Sequence, residues 1–134
     1  MQRDFQNGLK QTIVHLEYCE AERYIYAAFT DFQSLPVLKE ACEAALRIIR
    51  EKGCTKILSD NSGMLGGKDF GYDYILTEFA PKAISYGLKY FAYVTPPAIG
   101  NPQTVKKLEV TFPPELEFML FDTAEEARKW LLSR

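Results

Sequence analysis

Alternation of hydrophobic and polar residues marks the start of the chain as a pair of β-strands. Residues 12–19, TIVHLEYC, alternate in this way, so that His15 and Glu17 share the polar face. Residues 24–30, YIYAAFT, have the β-branched and aromatic composition of a second strand. Because the connection between them is short, we predict an antiparallel hairpin, with residues 1–10 frayed.

Two helices are indicated by apolar residues that recur every three or four positions. The first begins after Ser34, a favourable N-cap, and ends at Gly53, which suits the position after a helix. The second extends from Asp69 to about Tyr86. Pro81 lies inside it and should kink it, since proline has no N–H to donate.

Three more short strands are predicted, at residues 55–60, 89–95 and 117–121. Residues 96–114 are rich in proline and should be irregular, apart from a helical turn at 104–108. The strand at 117–121 is followed by a final amphipathic helix.

That final helix begins at Asp122, which forms a capping box with Glu125, and it buries Ala127, Trp130 and Leu131. The order of elements indicates one α/β domain over residues 1–134. Its mixed sheet has about five strands, starts with the antiparallel hairpin, and is covered by about four helices.

Composition argues against nucleic-acid binding, membrane insertion and secretion. Sixteen Lys and Arg against eighteen Asp and Glu give a net charge of -2, which removes the broad electrostatic attraction to nucleic acid or an anionic membrane. We find no apolar run that could cross a bilayer, and the opening MQRDFQNGLKQ lacks a signal-peptide core, so a cytoplasmic protein is expected. Cys19, Cys42 and Cys54 form no C-x-x-C pair and are interpreted as reduced thiols.

The sequence contains few residues that suggest catalysis, metal binding or nucleotide binding. His15 is the single histidine, and without an orienting acid near it in sequence we interpret it as a structural or surface residue. Asp60, Asp69 and Asp73 match no metal-binding loop, so no metal and no cofactor are predicted. Residues 61–69, NSGMLGGKD, lack the spacing of a nucleotide P-loop, because Gly63 and Gly67 are too close together.

The same glycine-rich segment remains the best candidate for a binding loop. It follows a central strand and precedes a helix, so its N–H groups can converge on an anion or on a partner's carboxylate. The residues assigned to it are Asp60, Asn61, Ser62, Gly63, Gly66, Gly67 and Lys68. The alternative is a tight surface loop without a ligand.

The second helix carries aromatic and aliphatic residues around most of its circumference. Such a helix is either buried on two sides or presents one side to a partner. We predict an interface at Phe70, Tyr74 and Ile84, and with it a homodimer; an ordinary core helix is the alternative.

With this order of elements, the chain resembles the STAS/SpoIIAA-like domains of bacteria, named after sulfate transporters and anti-sigma-factor antagonists. The resemblance rests on the hairpin and on the segments REKGCTKILSDN, EFAPKAISYGLKYFAYV and FDTAEEARKWLL, and it covers nearly the whole chain. These segments are most similar to uncharacterised STAS-like proteins, which have no assigned reaction. The resemblance implies a SpoIIAA-like fold.

In the antagonists, a D-S-S-G-L segment carries a serine that a partner kinase phosphorylates. Residues 60–64, DNSGM, resemble this segment, and Ser62 matches the second serine. Here the motif follows its strand at once, whereas several residues intervene in the antagonists. Because Ser62 matches a serine of this motif, it is the candidate phosphoacceptor.

Three functions follow as hypotheses. The first is a non-enzymatic STAS-like module that binds a protein partner or a small ligand in a regulatory role. The alternatives are a carrier of a small apolar ligand beneath the second helix, and a small enzyme that uses the loop from Asp60 to Lys68.

Overall fold

The computed structural model describes residues 1–66, 71, 73–96 and 112–134, and it centres on one mixed sheet. The strands follow one another across the sheet in chain order. They are β1 (Gln2–Gln6), β2 (Thr12–Cys19), β3 (Tyr24–Phe32), β4 (Lys56–Gly66), β5 (Tyr90–Val94) and β6 (Glu117–Phe121). The β1–β2 and β2–β3 pairs are antiparallel, and the remaining pairs are parallel. The predicted α/β class and the opening hairpin are confirmed.

The N-terminus differs from the prediction. Residues 1–10 were expected to be frayed, but Gln2–Gln6 pair with β2 and bring the sheet to six strands instead of about five. The physical reason is Phe5, which is only 4% exposed and belongs to the main core. One aromatic side chain and a row of backbone hydrogen bonds are enough to hold a short edge strand.

The first helix, α1 (Leu35–Lys52), follows the sequence pattern. Its N-cap is Ser34, although the side chain makes no capping hydrogen bond, and Gly53 ends it in the left-handed conformation at φ 62°. Only glycine adopts this conformation without strain, so the prediction of Gly53 as the stop is confirmed.

The second helix is divided into a π-helical turn, Ile75–Phe79, and a short α-helix, α2 (Ala80–Ser85). In the π-turn, the N–H of Ala80 donates to the carbonyl of Ile75. Pro81 falls in the first turn of α2, where its missing N–H is tolerated. At the place where a kink was predicted, the helix has a π-turn that ends just before Ala80 and Pro81. Asp69, the predicted start, and the helical turn at 104–108 lie outside the described residues.

The last helix, α3 (Ala124–Leu132), starts one residue later than predicted. Thr123, not Asp122, is the N-cap, and its Oγ1 accepts a hydrogen bond from the N–H of Glu126. Threonine has the hydroxyl that caps a helix, and Thr123 with Glu126 satisfies the S/T-x-x-E pattern. The described part of the chain contains three α-helices and the π-turn, and the helical turn predicted at 104–108 lies outside it.

Hydrophobic residues cover both faces of the sheet. The inner face packs against α1, the π-turn and α2, and forms the larger core. The outer face packs against α3 through a smaller cluster: Tyr24, Leu58, Ala92, Val94, Ala127 and Leu131. The predicted burial of Ala127 and Leu131 is confirmed, while Trp130 is half-buried beside Tyr90 and Phe121.

Candidate functional site

The predicted binding loop belongs largely to a strand. Asp60, Asn61, Ser62, Gly63 and Gly66 all lie in β4, which continues beside β3 as far as the pairing of Phe32 with Gly66. The predicted strand ended at Asp60, because glycines and polar residues follow it in the sequence. Parallel pairing with β3 overrides that weak local preference. Gly67 and Lys68 lie outside the described residues.

Residues from all six strands form one continuous row on the outer face. Paired neighbours in a sheet point to the same side, so the row brings distant residues together. Its members are Asp4, His15, Ala28, Asp60, Val94 and Phe121. The adjacent row contains Gln2, Glu17, Tyr26, Leu58, Ala92 and Met119.

The two rows divide the outer face into an apolar half and a polar half. On β4 and β5, Leu58, Ala92 and Val94 are buried beneath α3. We call the other part the open half, and it consists of Gln2, Asp4, His15, Glu17, Tyr26, Ala28 and Asp60. Within the described residues, only Tyr26 of this half packs against the cluster beneath α3. Its three carboxylates and the absence of Lys and Arg from its two rows make it acidic.

Asp60 is the centre of a small hydrogen-bond network at the border of the open half. Its Oδ2 accepts from the hydroxyl of Tyr26 at 2.9 Å. Its Oδ1 accepts from both the N–H and the hydroxyl of Ser62, at 3.0 and 2.7 Å. Burial and the bond to Asp60 raise the pKa of Tyr26, so this phenol remains a donor. The network fixes the direction of the Ser62 side chain.

Asn61 points to the other side of β4 and has a structural role. It is 4% exposed, and its Nδ2 donates to the carbonyls of Ser59 and Val94 at 3.1 Å. The bond to Val94 joins β4 to β5 at Asp60, where their pairing ends. Ser62, in contrast, is exposed. Of the predicted loop residues, Asp60 and Ser62 therefore remain the candidates for direct contact with a partner.

Two exposed apolar residues lie near this site and had not been selected from the sequence. Phe32 is 67% exposed and Leu65 is 61% exposed, and the pairing of Phe32 with Gly66 brings them to the same end of the sheet. Large exposed apolar side chains are frequent in protein interfaces. Their signal in the sequence was weak, because Phe32 lies between polar residues and Leu65 lies in a glycine-rich segment that does not predict a strand.

His15 has the orienting acid that sequence reasoning did not find. Its Nδ1 lies 2.6 Å from Oδ1 of Asp4, and its Nε2 lies 3.9 Å from Oε2 of Glu17. Asp4 comes from β1, the segment expected to be frayed. In the described residues, no group of three or more His, Cys, Asp or Glu side chains is arranged to hold a metal ion.

The cysteines are buried to different degrees. Cys42 and Cys54 are buried, and burial raises the pKa of both thiols, that of Cys42 to about 12. Cys19 is half-buried, and its pKa is also raised, chiefly by burial. A thiol with a raised pKa carries little thiolate at neutral pH, which disfavours a nucleophilic role for these cysteines.

The predicted interface on the second helix has little free surface in its described part. Tyr74 and Ile84 are half-buried and pack against the main core, and Phe70 lies outside the described residues. Homodimer formation through this helix stays a prediction.

Comparison with known proteins identifies the fold. No family model and no curated protein matches the chain. One similar solved structure is an uncharacterised protein from the DUF3478 family, with a SpoIIAA-like fold, from Shewanella loihica PV-4. The alignment has 14% sequence identity and a TM-score of 0.60, and it covers 88% of this chain and 91% of that one. The chain thus has the SpoIIAA-like fold predicted from its sequence. None of the described helices is long and apolar enough to span a membrane.

Proposed function

We propose that this chain is a non-enzymatic STAS-like module that binds a protein partner in a regulatory role. The proposed contact surface is the open half together with the exposed residues at the end of β4. The observation that carries the proposal is Ser62, which is exposed and directly hydrogen-bonded to Asp60 at the border of this surface.

The topology of the sheet favours a macromolecular partner. In α/β proteins, small ligands bind in the crevice where the strand order reverses. Here the strand order follows the chain without reversal, so the sheet provides a broad face instead. The acidic open half, with Phe32 and Leu65 exposed nearby, has the mixed polar and apolar character of a transient interface.

Phosphorylation of Ser62 is the proposed regulatory step. A phosphate would add about 1.5 to 2 negative charges. The hydroxyl that receives it lies 2.7 Å from Oδ1 of Asp60, so the hydrogen bond would be replaced by repulsion between two anions. The side chain would turn away from Asp60, and a partner docked on both residues would be released.

The test is a comparative pull-down with the wild-type chain, Ser62→Ala and Ser62→Asp as baits. We expect the wild type and Ser62→Ala to recover the same partner, and Ser62→Asp to lose it. Ser85→Asp is the matched control, because Ser85 is also an exposed serine with a local hydrogen bond, to the carbonyl of Lys82. Equal recovery by all four baits would contradict the switch.

Asp60→Asn tests the surface separately from the switch. It removes one negative charge and keeps the size of the side chain. We expect weaker recovery of the partner, with unchanged circular dichroism. If the partner is recovered equally well by Asp60→Asn and by a Phe32→Ser, Leu65→Ser double variant, the contact surface lies elsewhere.

A further inference from the structure

The two edges of the sheet differ in how well they resist pairing with another strand. Strands β1 and β6 are the first and the last in the sheet, so among the described residues each has a neighbouring strand on one side only. An edge strand offers unpaired N–H and C=O groups to any extended chain. Proteins usually block such edges with charged side chains, with proline or with a β-bulge.

Strand β1 has two of these protections. Arg3 and Asp4 occupy central positions, and a bulge interrupts the register between Phe5 and Gln6. If two copies of the chain paired antiparallel through the middle of β1, Arg3 or Asp4 would lie opposite the same residue of the other copy. Like charges directly opposite each other destabilise a pair of strands. The β1 edge is thus protected against pairing with itself.

Strand β6 lacks these protections. Its residues, EFMLF, contain one charge, at the first position, where Glu117 forms an ion pair with Arg134 at 3.6 Å. The four residues that follow are apolar, and the strand keeps a regular parallel register with β5 along its whole length. Met119, at its centre, is 37% exposed. A regular strand with an uncharged, exposed centre is suited to pairing with another strand.

Alternate residues of β6 direct their backbone groups towards the open edge. The N–H of Glu117 and the carbonyl of Phe121 are hydrogen-bonded to the residues that directly precede and follow β5. Because backbone groups alternate in direction along a strand, those of Phe118 and Leu120 point away from β5. No described strand lies beyond β6 to bind them. The edge therefore presents two donors and two acceptors.

We propose that β6 pairs antiparallel with β6 of a second copy of this chain, about a two-fold axis at Met119. In this register Phe118 lies opposite Leu120 of the other copy, so that both N–H groups and both carbonyls of each edge are hydrogen-bonded. Met119 lies opposite Met119, and Glu117 lies opposite Phe121, so no like charges are paired. The strand is complementary to itself, which favours a symmetric dimer.

The dimer goes beyond the proposed function and leaves its contact surface free. The open half begins at β1, which is at the opposite edge of the sheet from β6. Two joined sheets would carry one open half at each far end, and the dimer would offer two binding surfaces to a partner. The interface also differs from the one predicted on the second helix, because it uses neither Tyr74 nor Ile84.

Analytical ultracentrifugation of the full chain over a concentration series tests the dimer. The wild type should approach twice the mass of one chain. Met119→Lys brings two positive charges together at the two-fold axis, so the dissociation constant should rise by about tenfold or more. Leu132→Lys is the matched control, because Leu132 has a similar exposure, 40%, but lies on α3. A monomeric wild type, or an unchanged dissociation constant for Met119→Lys, overturns the proposal.

A pair of opposite charges shows whether the two copies meet at Met119. Met119→Lys and Met119→Glu should each weaken the homodimer. An equimolar mixture of the two variants should associate more tightly than either variant alone, because opposite charges then face each other across the axis. A mixture that associates no better than the separate variants overturns the proposal.

Amide hydrogen exchange of the wild type keeps the test decisive if a variant does not fold. The N–H groups of Phe118 and Leu120 should exchange slowly where the dimer predominates and faster on dilution. The N–H of Met119 faces β5 in either state and should stay protected throughout. Fast exchange at Phe118 and Leu120 at every concentration overturns the proposal even for a dimeric protein, because the dimer then uses another surface.

Discussion

The carboxylate of Asp4 lies 2.6 Å from Nδ1 of His15 and connects the edge strand β1 to β2 on the open half of the sheet. Both side chains are partly exposed, so the solvent screens their interaction. On the opposite side of the same strand, Phe5 is buried in the main core. The two contacts hold β1 from opposite faces and should differ greatly in strength.

Phe5→Ala should destabilise the protein far more than Asp4→Asn. Loss of a buried phenylalanine costs about 3–5 kcal/mol in a core and somewhat less at a sheet edge. Loss of this partly exposed side-chain contact costs no more than about 1 kcal/mol. Urea denaturation gives the free energies of unfolding. Equal effects of the two variants would mean that the side-chain pair, not the core contact, holds β1.

Asn61 and Ser62 are neighbours in β4 with opposite roles. Asn61→Ala leaves the carbonyls of Val94 and Ser59 without their side-chain donor, which should cost about 1–3 kcal/mol. Ser62→Ala removes an exposed hydroxyl and its solvent-exposed hydrogen bond to Asp60, so it should change stability by less than about 0.5 kcal/mol. Thermal unfolding of both variants measures the difference. A larger effect for Ser62→Ala would reverse the assigned roles.

The three thiols should react at different rates with a disulfide reagent. Burial raises the pKa of each one, so each carries less thiolate at pH 7 than a freely exposed cysteine and should react more slowly. In the native protein we expect slow modification of Cys19, which is half-buried, and protection of Cys42 and Cys54. All three should react in urea. Fast reaction of Cys42 at pH 7 in the native state would contradict its buried position.

Trp130 should tolerate phenylalanine better than alanine. Its buried Nε1 has no hydrogen-bond partner within the described part of the chain, so we expect replacement by phenylalanine to lose no hydrogen bond there and to retain a ring beside Tyr90. We expect Trp130→Phe to cost less than about 1 kcal/mol and Trp130→Ala about 2 kcal/mol, because the side chain is only half-buried. Chemical denaturation followed by circular dichroism compares them. Equal losses would indicate that the indole N–H is needed.

Periodicity predicted the elements whose burial is regular. Helix α1 has one apolar stripe and an unambiguous glycine stop, and β6 was located at its observed bounds, Glu117–Phe121. The strand extension from Asn61 to Gly66 could not be predicted in this way. Its residues have poor strand propensity, and they are held there by pairing with β3, a partner more than thirty residues earlier in the chain.

The candidate site could be predicted only in part, because it too depends on pairing between strands that are distant in the sequence. Asp60 and Ser62 were selected from a motif, but their proximity to Tyr26 depends on the register between β3 and β4. The pairing of His15 with Asp4 depends on an edge strand whose main sequence signal is one phenylalanine. Lateral register is a property of the assembled sheet, and local patterns do not encode it.

Agreement between strand order and chain order also bears on how the protein folds. Each strand pairs with the one just before it, so the sheet can grow by successive addition without closing a loop across an earlier strand. Such a topology keeps the sequence separation of contacts low for a mixed sheet, and low separation favours rapid folding. We expect the two antiparallel hairpins, whose connections are short, to form before the parallel pairs that α1 and α2 must bridge.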